Sequence, residues 1–381
     1  MVLNFKKRLA LLLLFSLALA CTLYFFYQPL KTWLKSSIGT QNGWDVIRTG
    51  NGRVNRIALT SPKFLVDTLY PSMTGPAATH YFNLEHSFGA KINWLLGYST
   101  YVISSEGNIL SDDFLCHNNL DYNAAAYYHH WGLKGRAESL VPRLATLTQG
   151  QTAIQFPKGY GIPLKSTQVL SATTQVLNVT DKKINQEIYH KIELDYTSNK
   201  NLNPHLKPLF QQSVMVLVEV DTNKLAEKIR QPDVDCLPVL TTINALNVCR
   251  SGEVFTGHWV LPEGKDTIVR DVTNLLNLPF STSLHYASVH VHPHCVSLEL
   301  IDRSTGKSIF KSRINNDRKQ SRMYHIEAFS SEEGIKLFRD HSYELVCITD
   351  HQLKEKRDMM AVMLLYLRDY ELEEKLSEQY N

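Results

Sequence analysis

The 381-residue sequence has no large excess of charge of either sign, no internal repeat and few cysteines. Forty Lys and Arg residues against 37 Asp and Glu residues give a net charge of +3. This balance lacks the basic stripe of typical nucleic-acid-binding proteins, so no nucleic-acid partner is predicted. A composition of 44% hydrophobic and 20% charged residues excludes disorder, collagen-like repeats and coiled coils.

The six cysteines form no Cys-x-x-Cys pair and show no zinc-type spacing. This absence argues against a zinc finger and against covalently attached haem. Disulfides are permitted if the chain folds outside the cytosol. Cys236 and Cys249 bracket a short loop and are the pair that their spacing favours.

A long apolar segment, Leu9–Tyr27, follows a basic cluster at residues 6–8. As a helix, about 19 residues would span about 28 Å, close to the thickness of one bilayer core. The preceding positive charges predict a cytosolic N-terminus, hence a single-pass membrane protein whose bulk is periplasmic or extracellular. A cleaved signal peptide is the alternative, because residues 17–20 end in a small residue.

Short runs rich in Val, Thr and aromatic residues alternate with turn signals from Trp44 onward. This pattern predicts an all-β chain with two jelly-roll-like β-sandwich domains. The predicted order is a cytosolic tip and transmembrane anchor (1–30), a tether (31–43), an N-terminal sandwich (44–222), a connector (223–251), a C-terminal sandwich (252–370) and an acidic tail (371–381).

His290 and His292 lie in a strand-like run, where residues two apart project from the same face. Two such imidazoles can hold one metal ion, although a pair of half-exposed strand histidines is the plainer interpretation. A later strand-like run contains Met359, Met360 and Met363, and core filling is the plainer role for methionine. Two imidazoles and one thioether would suit Cu(I) better than zinc or iron. Alternation separates Met360 from the other two methionines without indicating which face is which.

These motifs resemble the C-terminal domain of the type II copper, ascorbate-dependent monooxygenases, the family of peptidylglycine α-hydroxylating monooxygenase and dopamine β-monooxygenase. The resemblance rests on Val260–Lys265, Val289–His294, Asp340–Ile348 and Asp358–Met363, together with Ile154–Gly161 in the N-terminal half. It covers roughly half of the globular chain. It implies two jelly-roll sandwiches, one copper per chain held by His290, His292 and Met360, and ascorbate or another external reductant.

The sequence departs from this family at the second copper site and in the substrate pocket. Leu177 stands where the family has a third imidazole, and residues 91–96 lack its His-His pair. Ser288 replaces the Arg that peptide-amidating members use to bind a carboxylate, and Val362 and Leu364 replace a pocket Asn and Tyr. A peptidylglycine substrate is therefore disfavoured. A small apolar substrate or a copper-handling partner is expected instead.

Five further residues are candidates for metal binding or for positions next to the metal. They are His294, Met359, His117, His129 and His130. The adjacent pair His129 and His130 could rebuild a second metal site, whereas His117 lies in a polar segment where hydrogen bonding is the plainer role. His294 would extend the alternating histidines and shift the preference towards Cu(II) or zinc, but Pro293 is expected to bend the strand.

Three functions remain open from the sequence. The first is oxygenase-like O₂ activation at a single His/His/Met copper, with an external electron donor in place of the missing second site. The second is a copper carrier or sensor without catalysis. The third is an interaction module in which the histidines are structural, since one fold hosts many functions.

Overall fold

The computed structural model describes residues 43–50, 53–70, 72–85, 91–133, 136, 143–179, 185–199, 205–219, 246–248, 254–317, 322–352, 354 and 356–380. The predicted membrane segment Leu9–Tyr27, most of the tether and connector, and the pair Cys236 and Cys249 lie outside these residues. No helix among the described residues is both long enough and apolar enough to cross a bilayer.

The N-terminal half forms a two-layered β-sandwich. Its strands are β1 (Asp45–Gly50), β2 (Asn55–Thr60), β3 (Phe64–Val66), β4 (Ala77–Phe82), β5 (Ile92–Ile103), β6 (Leu115–Tyr122), β7 (Arg143–Leu147), β8 (Ala153–Gln155), β9 (Tyr160–Lys165), β10 (Leu170–Val176) and β11 (Gln186–Ser198), with a 3₁₀ turn (Asp112–Phe114) and helix α1 (Ala124–His130). One sheet has the order β1-β2-β11-β5-β9 and the other β4-β10-β6-β7. Their inward residues, including Trp94, Leu120 and Leu147, form a shared hydrophobic core.

The C-terminal half is a second sandwich. Its elements are β12 (Lys207–Met215), β13 (Val218–Glu219), β14 (Leu246–Val248), β15 (Val254–Thr256), β16 (His258–Val260), β17 (Gly264–Asp271), α2 (Thr273–Leu276), β18 (Thr282–Val291), β19 (Cys295–Asp302), β20 (Lys307–Asp317), β21 (Arg322–Ile326), β22 (Phe329–Leu337), β23 (Tyr343–His351), β24 (Asp358–Arg368) and α3 (Tyr370–Tyr380). The sheet β12-β24-β18-β22 packs against β17-β23-β19-β20-β21. Leu298, Leu345 and Leu365 lie in the core between them. The expectation of an all-β sandwich fold is confirmed, and helix α3 occupies the acidic tail.

Strand β12 connects the two sandwiches. It pairs with β9 in parallel through Lys207 opposite Tyr160, and with β24 in antiparallel fashion along most of its length. Within the sequence it falls in the segment assigned to the N-terminal sandwich, yet Phe210 and Val214 lie in the C-terminal core. One continuous sheet therefore runs through both halves, and the outer face of β24 and β18 is turned towards the N-terminal sandwich.

The cysteines of the described chain are free thiols. Cys116, Cys295 and Cys347 are buried, and the Sγ atoms of Cys295 and Cys347 lie 3.9 Å apart on neighbouring strands. Burial raises the pKa of the Cys116 thiol, which keeps it protonated at neutral pH.

A buried histidine makes the stability of the N-terminal sandwich depend on pH. His190 on β11 is fully buried, and its Nδ1 atom lies 2.5 Å from Thr174 Oγ1. Burial lowers the pKa of His190 to about 4, because the charged imidazolium would lose its hydration. In the unfolded chain the same side chain takes up a proton below a pH of about 6.5.

We expect acidification from pH 6.5 to pH 4 to remove about 3 kcal/mol of folding free energy through His190, since only the unfolded state gains the proton over that range. Urea unfolding of wild type and His190→Gln at both pH values measures this contribution. The variant should lose less stability on acidification than wild type. The control His325→Gln, which changes an exposed histidine, should lose as much stability as wild type. Equal losses in all three proteins would contradict the assignment.

Candidate functional site

Strand register places two of the three predicted ligands, His290 and Met360, on one face together with His258. His290 is opposite Val362 in the antiparallel pair of β18 with β24, and His258 is opposite Met360 in the pair of β16 with β24. Residues directly opposite one another in such a pair project to the same side, and alternate residues along a strand share a face. His290, His258 and Met360 therefore project together, towards the N-terminal sandwich.

This face borders a cavity of about 490 Å³ between the two sandwiches. The lining residues from the N-terminal half include Ser72, Met73, Cys116, His117, Asn119, Arg143, Thr146, Thr148, Gln149 and Leu177, and those from the C-terminal half include His258, His290, His292, His294, Met323, Lys356, Arg357, Asp358, Met360, Val362 and Leu364. A cavity of this volume, with mixed polar and apolar walls, has the size of a small-molecule site.

His290 presents an unpaired ring nitrogen. Its Nδ1 atom is buried and has no hydrogen-bond partner among the residues that the structure describes, and its imidazole lines the cavity. Burial, assisted by the neighbouring His292, lowers the pKa of His290 well below its usual range, so the ring is neutral at neutral pH. A neutral imidazole has a free nitrogen lone pair, which is what a metal ion requires of a histidine ligand.

Asp358 holds two histidines in place. Its Oδ2 atom lies 3.0 Å from Nδ1 of His258 and 3.3 Å from Nδ1 of His292, and its backbone oxygen is 3.2 Å from the latter nitrogen. Burial raises the pKa of Asp358, but the hydrogen bonds from His258 and His292 outweigh it, and the carboxyl pKa lies below its ordinary value. A carboxylate beside Nδ1 of His292 favours the tautomer in which that nitrogen donates, so Nε2 is the ring nitrogen that would bind a metal.

The separation of the two strand histidines suits one shared ion. The ring centroids of His290 and His292 are 5.8 Å apart, and the rings are nearly perpendicular at 87°. At metal–nitrogen distances of about 2.0–2.1 Å, two imidazoles on one ion have their ring centres within about 6 Å of each other. The centroid distance is therefore compatible with ligation of one ion by both rings.

The neighbouring methionines have different environments. Met360 is half-buried and lines the cavity. Met359 and Met363 are fully buried in the core of the C-terminal sandwich, on the opposite face of β24. Met360 lines the same cavity as His290 and His292, whereas Met359 lies in the core on the other face of the strand.

Two of the further candidate histidines, His117 and His294, border the cavity. His117 projects from β6 on the N-terminal side, where burial, together with Arg143 and His292, lowers its pKa to about 4. His294 lies in the turn after β18 with φ of 78°, and its ring is 4.7 Å from that of His351. The chain leaves the extended conformation after Pro293, so strand alternation does not carry His294 into the set formed by His290 and His292.

The pair His129 and His130 does not reach the cavity. Both side chains are exposed in the last turn of α1. Within the described residues, no group of three or more His, Cys, Asp or Glu side chains is arranged to hold a metal ion. A metal site at the cavity would thus depend on the Met360 thioether as its third donor.

The sequence patterns assigned no role to Asp358. His258 and Asp358 are 100 positions apart in the chain, and only the pairing of β16 with β24 reveals their contact. The acidic residue directly before the paired methionines was the one available signal.

No protein-family model and no curated protein matches the chain. Among solved structures, the STIV MCP is 7% identical with a TM-score of 0.29, over 80% of this chain and 95% of that one. A structure of Sulfolobus Turreted Icosahedral Virus is 7% identical with a TM-score of 0.30, over 86% and 97%. A secreted protein from Eubacterium rectale is 7% identical with a TM-score of 0.20, over 77% and 70%. Likeness this weak carries no argument about function.

Proposed function

We propose that this protein binds one copper ion through His290, His292 and Met360 and performs oxygenase-like chemistry on a small molecule in the adjoining cavity. The observation that carries the proposal is the buried, unpartnered Nδ1 of His290 beside an imidazole held by Asp358. Copper is preferred because two imidazoles and one thioether combine borderline and soft donors, which suit Cu(I).

Each residue has a distinct part in this proposal. A copper ion, when bound, would supply one-electron chemistry with O₂. Asp358 fixes the tautomer and orientation of His292 through its Nδ1 proton. The lowered pKa of His290 keeps its ring unprotonated. Val362 and Leu364 give the cavity an apolar side on which a C–H-bearing substrate can lie.

A non-catalytic copper carrier or sensor is the second candidate. It needs no internal electron donor, and among the described residues no group of three or more His, Cys, Asp or Glu side chains is arranged to hold a metal ion that could serve as one. Without an internal donor, oxygenase chemistry needs an external reductant such as ascorbate. Membrane anchoring through Leu9–Tyr27 and an extracytosolic location remain predictions.

The copper site is tested by titrating the full chain with Cu(I) against a chromogenic chelator. Wild type should retain one copper per chain, and His292→Ala should lose it because one of two nitrogen donors is removed. His130→Ala, which removes an exposed histidine, is the matched control and should bind like wild type. Retention of copper by His292→Ala, or none in wild type, would overturn the site.

Catalysis is tested separately with the copper-loaded chain. Ascorbate-dependent O₂ uptake that disappears in His292→Ala supports the oxygenase. Stoichiometric copper without O₂ uptake, in the presence of ascorbate and candidate substrates, supports the carrier and rejects the oxygenase.

The role of Asp358 gives a second, quantitative prediction. We expect Asp358→Asn to weaken Cu(I) binding about 10–100-fold, the usual effect of removing a carboxylate that orients a ligating histidine. Asp302→Asn is the matched control. Asp302 also pairs with a histidine, with 2.7 Å between its Oδ2 atom and Nδ1 of His341, but neither residue lines the cavity. Equal copper affinities for the two variants would show that Asp358 does not act on the site.

A further inference from the structure

Basic side chains predominate among the charged residues that line the cavity. Arg143 enters from β7 of the N-terminal sandwich, and Lys356 and Arg357 precede β24. Asp358 is the one acidic residue in the described lining, and its carboxylate is already hydrogen-bonded to His258 and His292. The formal charge of the lining is therefore positive, which favours an anionic ligand.

Arg143 lines the cavity in a position to bind a ligand there. Its guanidinium side chain is about 29% exposed, and its Nε atom lies 3.2 Å from Oδ1 of Asp121 on the neighbouring strand. Burial is the main cause of the low pKa of His117, and the positive charge of Arg143 is the second cause. The electrostatic field of Arg143 therefore reaches the cavity wall. A guanidinium carries five N–H donors in a planar fork, and one contact with Asp121 leaves others for a ligand.

The remaining lining indicates the rest of the ligand. On one side of the cavity the buried Nδ1 of His290 has no hydrogen-bond partner within the described part of the chain, and Leu177, Met323, Val362 and Leu364 form apolar surface. A volume of about 490 Å³ accommodates a molecule of roughly the size of a substituted aromatic ring. The lining thus combines a cationic end with an apolar side.

We infer that the cavity binds a small amphipathic anion whose charged group is held by Arg143 and whose apolar body lies against Val362 and Leu364. This ligand differs from the small apolar substrate expected from the sequence, because it carries a negative charge at one end. The further statement that this anion is the oxidised substrate rests on the proposed function. Binding of the anion itself does not require the metal.

Asp121 gives the proposal a test with two directions. Burial raises the pKa of the Asp121 carboxyl, and Arg143 is the positive charge that opposes this effect. A ligand anion and Asp121 therefore share the same guanidinium. Removing the charge of Asp121 should free Arg143 and raise the affinity for the ligand. Removing the charge of Arg143 should lower that affinity.

The experiment uses calorimetry on the full chain with EDTA present and compares phenylacetate with its neutral isostere phenylacetamide. We expect phenylacetate to bind at least about tenfold more tightly, the effect of one charge-assisted contact. Arg143→Gln should abolish the preference, and Asp121→Asn should strengthen phenylacetate binding. Arg313→Gln, which changes an exposed arginine paired with Glu327, should leave both affinities unchanged.

Equal binding of the acid and the amide, or no binding of either, would overturn the inference. A preference that survives in Arg143→Gln would also overturn it, and circular dichroism establishes that each variant is folded. Phenyl phosphate in a parallel titration distinguishes a phosphate headgroup from a carboxylate. Because copper is absent from the assay, a chain that binds phenylacetate but never loads copper rejects the proposed function and retains the anion site.

Discussion

Replacing Arg136 with methionine is expected to lower the free energy of unfolding by about 3–5 kcal/mol at pH 7, because it leaves a buried carboxylate without its partner. Arg136 and Asp369 form two hydrogen bonds, of 3.0 and 3.1 Å, and their side chains are 3% and 0% exposed. The guanidinium also packs over the rings of Phe210 and Phe280. Methionine retains much of that apolar contact, so the expected loss is mainly electrostatic.

The sign of the pH dependence follows from Asp369. Burial raises the pKa of its carboxyl, and Arg136 opposes the rise. Without Arg136 the pKa of folded Asp369 should rise further above its unfolded value. A carboxyl with a raised folded pKa costs stability above that pKa and ceases to do so once it is protonated. The deficit of Arg136→Met should therefore shrink as the pH falls from 7 towards 5.

Urea unfolding at the two pH values measures both effects. Arg313→Met is the matched control, since its partner Glu327 is solvent-exposed and such a pair is worth at most about 1 kcal/mol. The double variant Arg136→Met/Asp369→Leu should regain much of the lost stability, because no buried charge remains. A pH-independent loss in the single variant would mean that packing, and not the charge of Asp369, explains it.

The sequence was sufficient for the class of fold because strand-like apolar runs and the turn signals between them can be read in it directly. Strand β24 has buried and half-buried residues at its start, then continues fully buried from Ala361 to Leu367, and such apolar runs bounded by turn signals predict strands. Sequence alone could not show that this strand is covered on both faces. The second covering layer is the N-terminal sandwich, reached through Tyr366, whose hydroxyl donates a hydrogen bond to the backbone oxygen of Leu144.

The candidate site was predictable where it depends on neighbours in the chain and unpredictable where it depends on register. The shared face of His290 and His292 follows from their spacing. The contact of His292 with Asp358 joins residues 66 positions apart, and that of His258 with Asp358 joins residues 100 positions apart. Neither leaves a local pattern. Arg143 belongs to the same cavity only because two sandwiches meet there.

Register also resolves the ambiguity of the paired methionines. Met359 lies opposite Trp259 and belongs to the C-terminal core, where it is 0% exposed. Met360 lies opposite His258 and lines the cavity. Two adjacent residues of the same type therefore provide a matched pair for separating a role in packing from a role in ligand binding.

We expect Met359→Ala to lower the free energy of unfolding by about 2–5 kcal/mol, because it leaves a cavity in a packed core. Met360→Ala should lower the free energy of unfolding less, since the Met360 side chain is only half-buried and already borders open space.

The two variants should have the opposite order of effects on copper binding. Met360→Ala should weaken Cu(I) binding at least tenfold, equivalent to about 1.4 kcal/mol, whereas folded Met359→Ala should bind Cu(I) like wild type. Urea unfolding and chelator competition on the same two preparations measure both orders. Equal effects on stability would reject the register of β16 with β24, and a copper affinity unchanged in Met360→Ala would remove the thioether from the site.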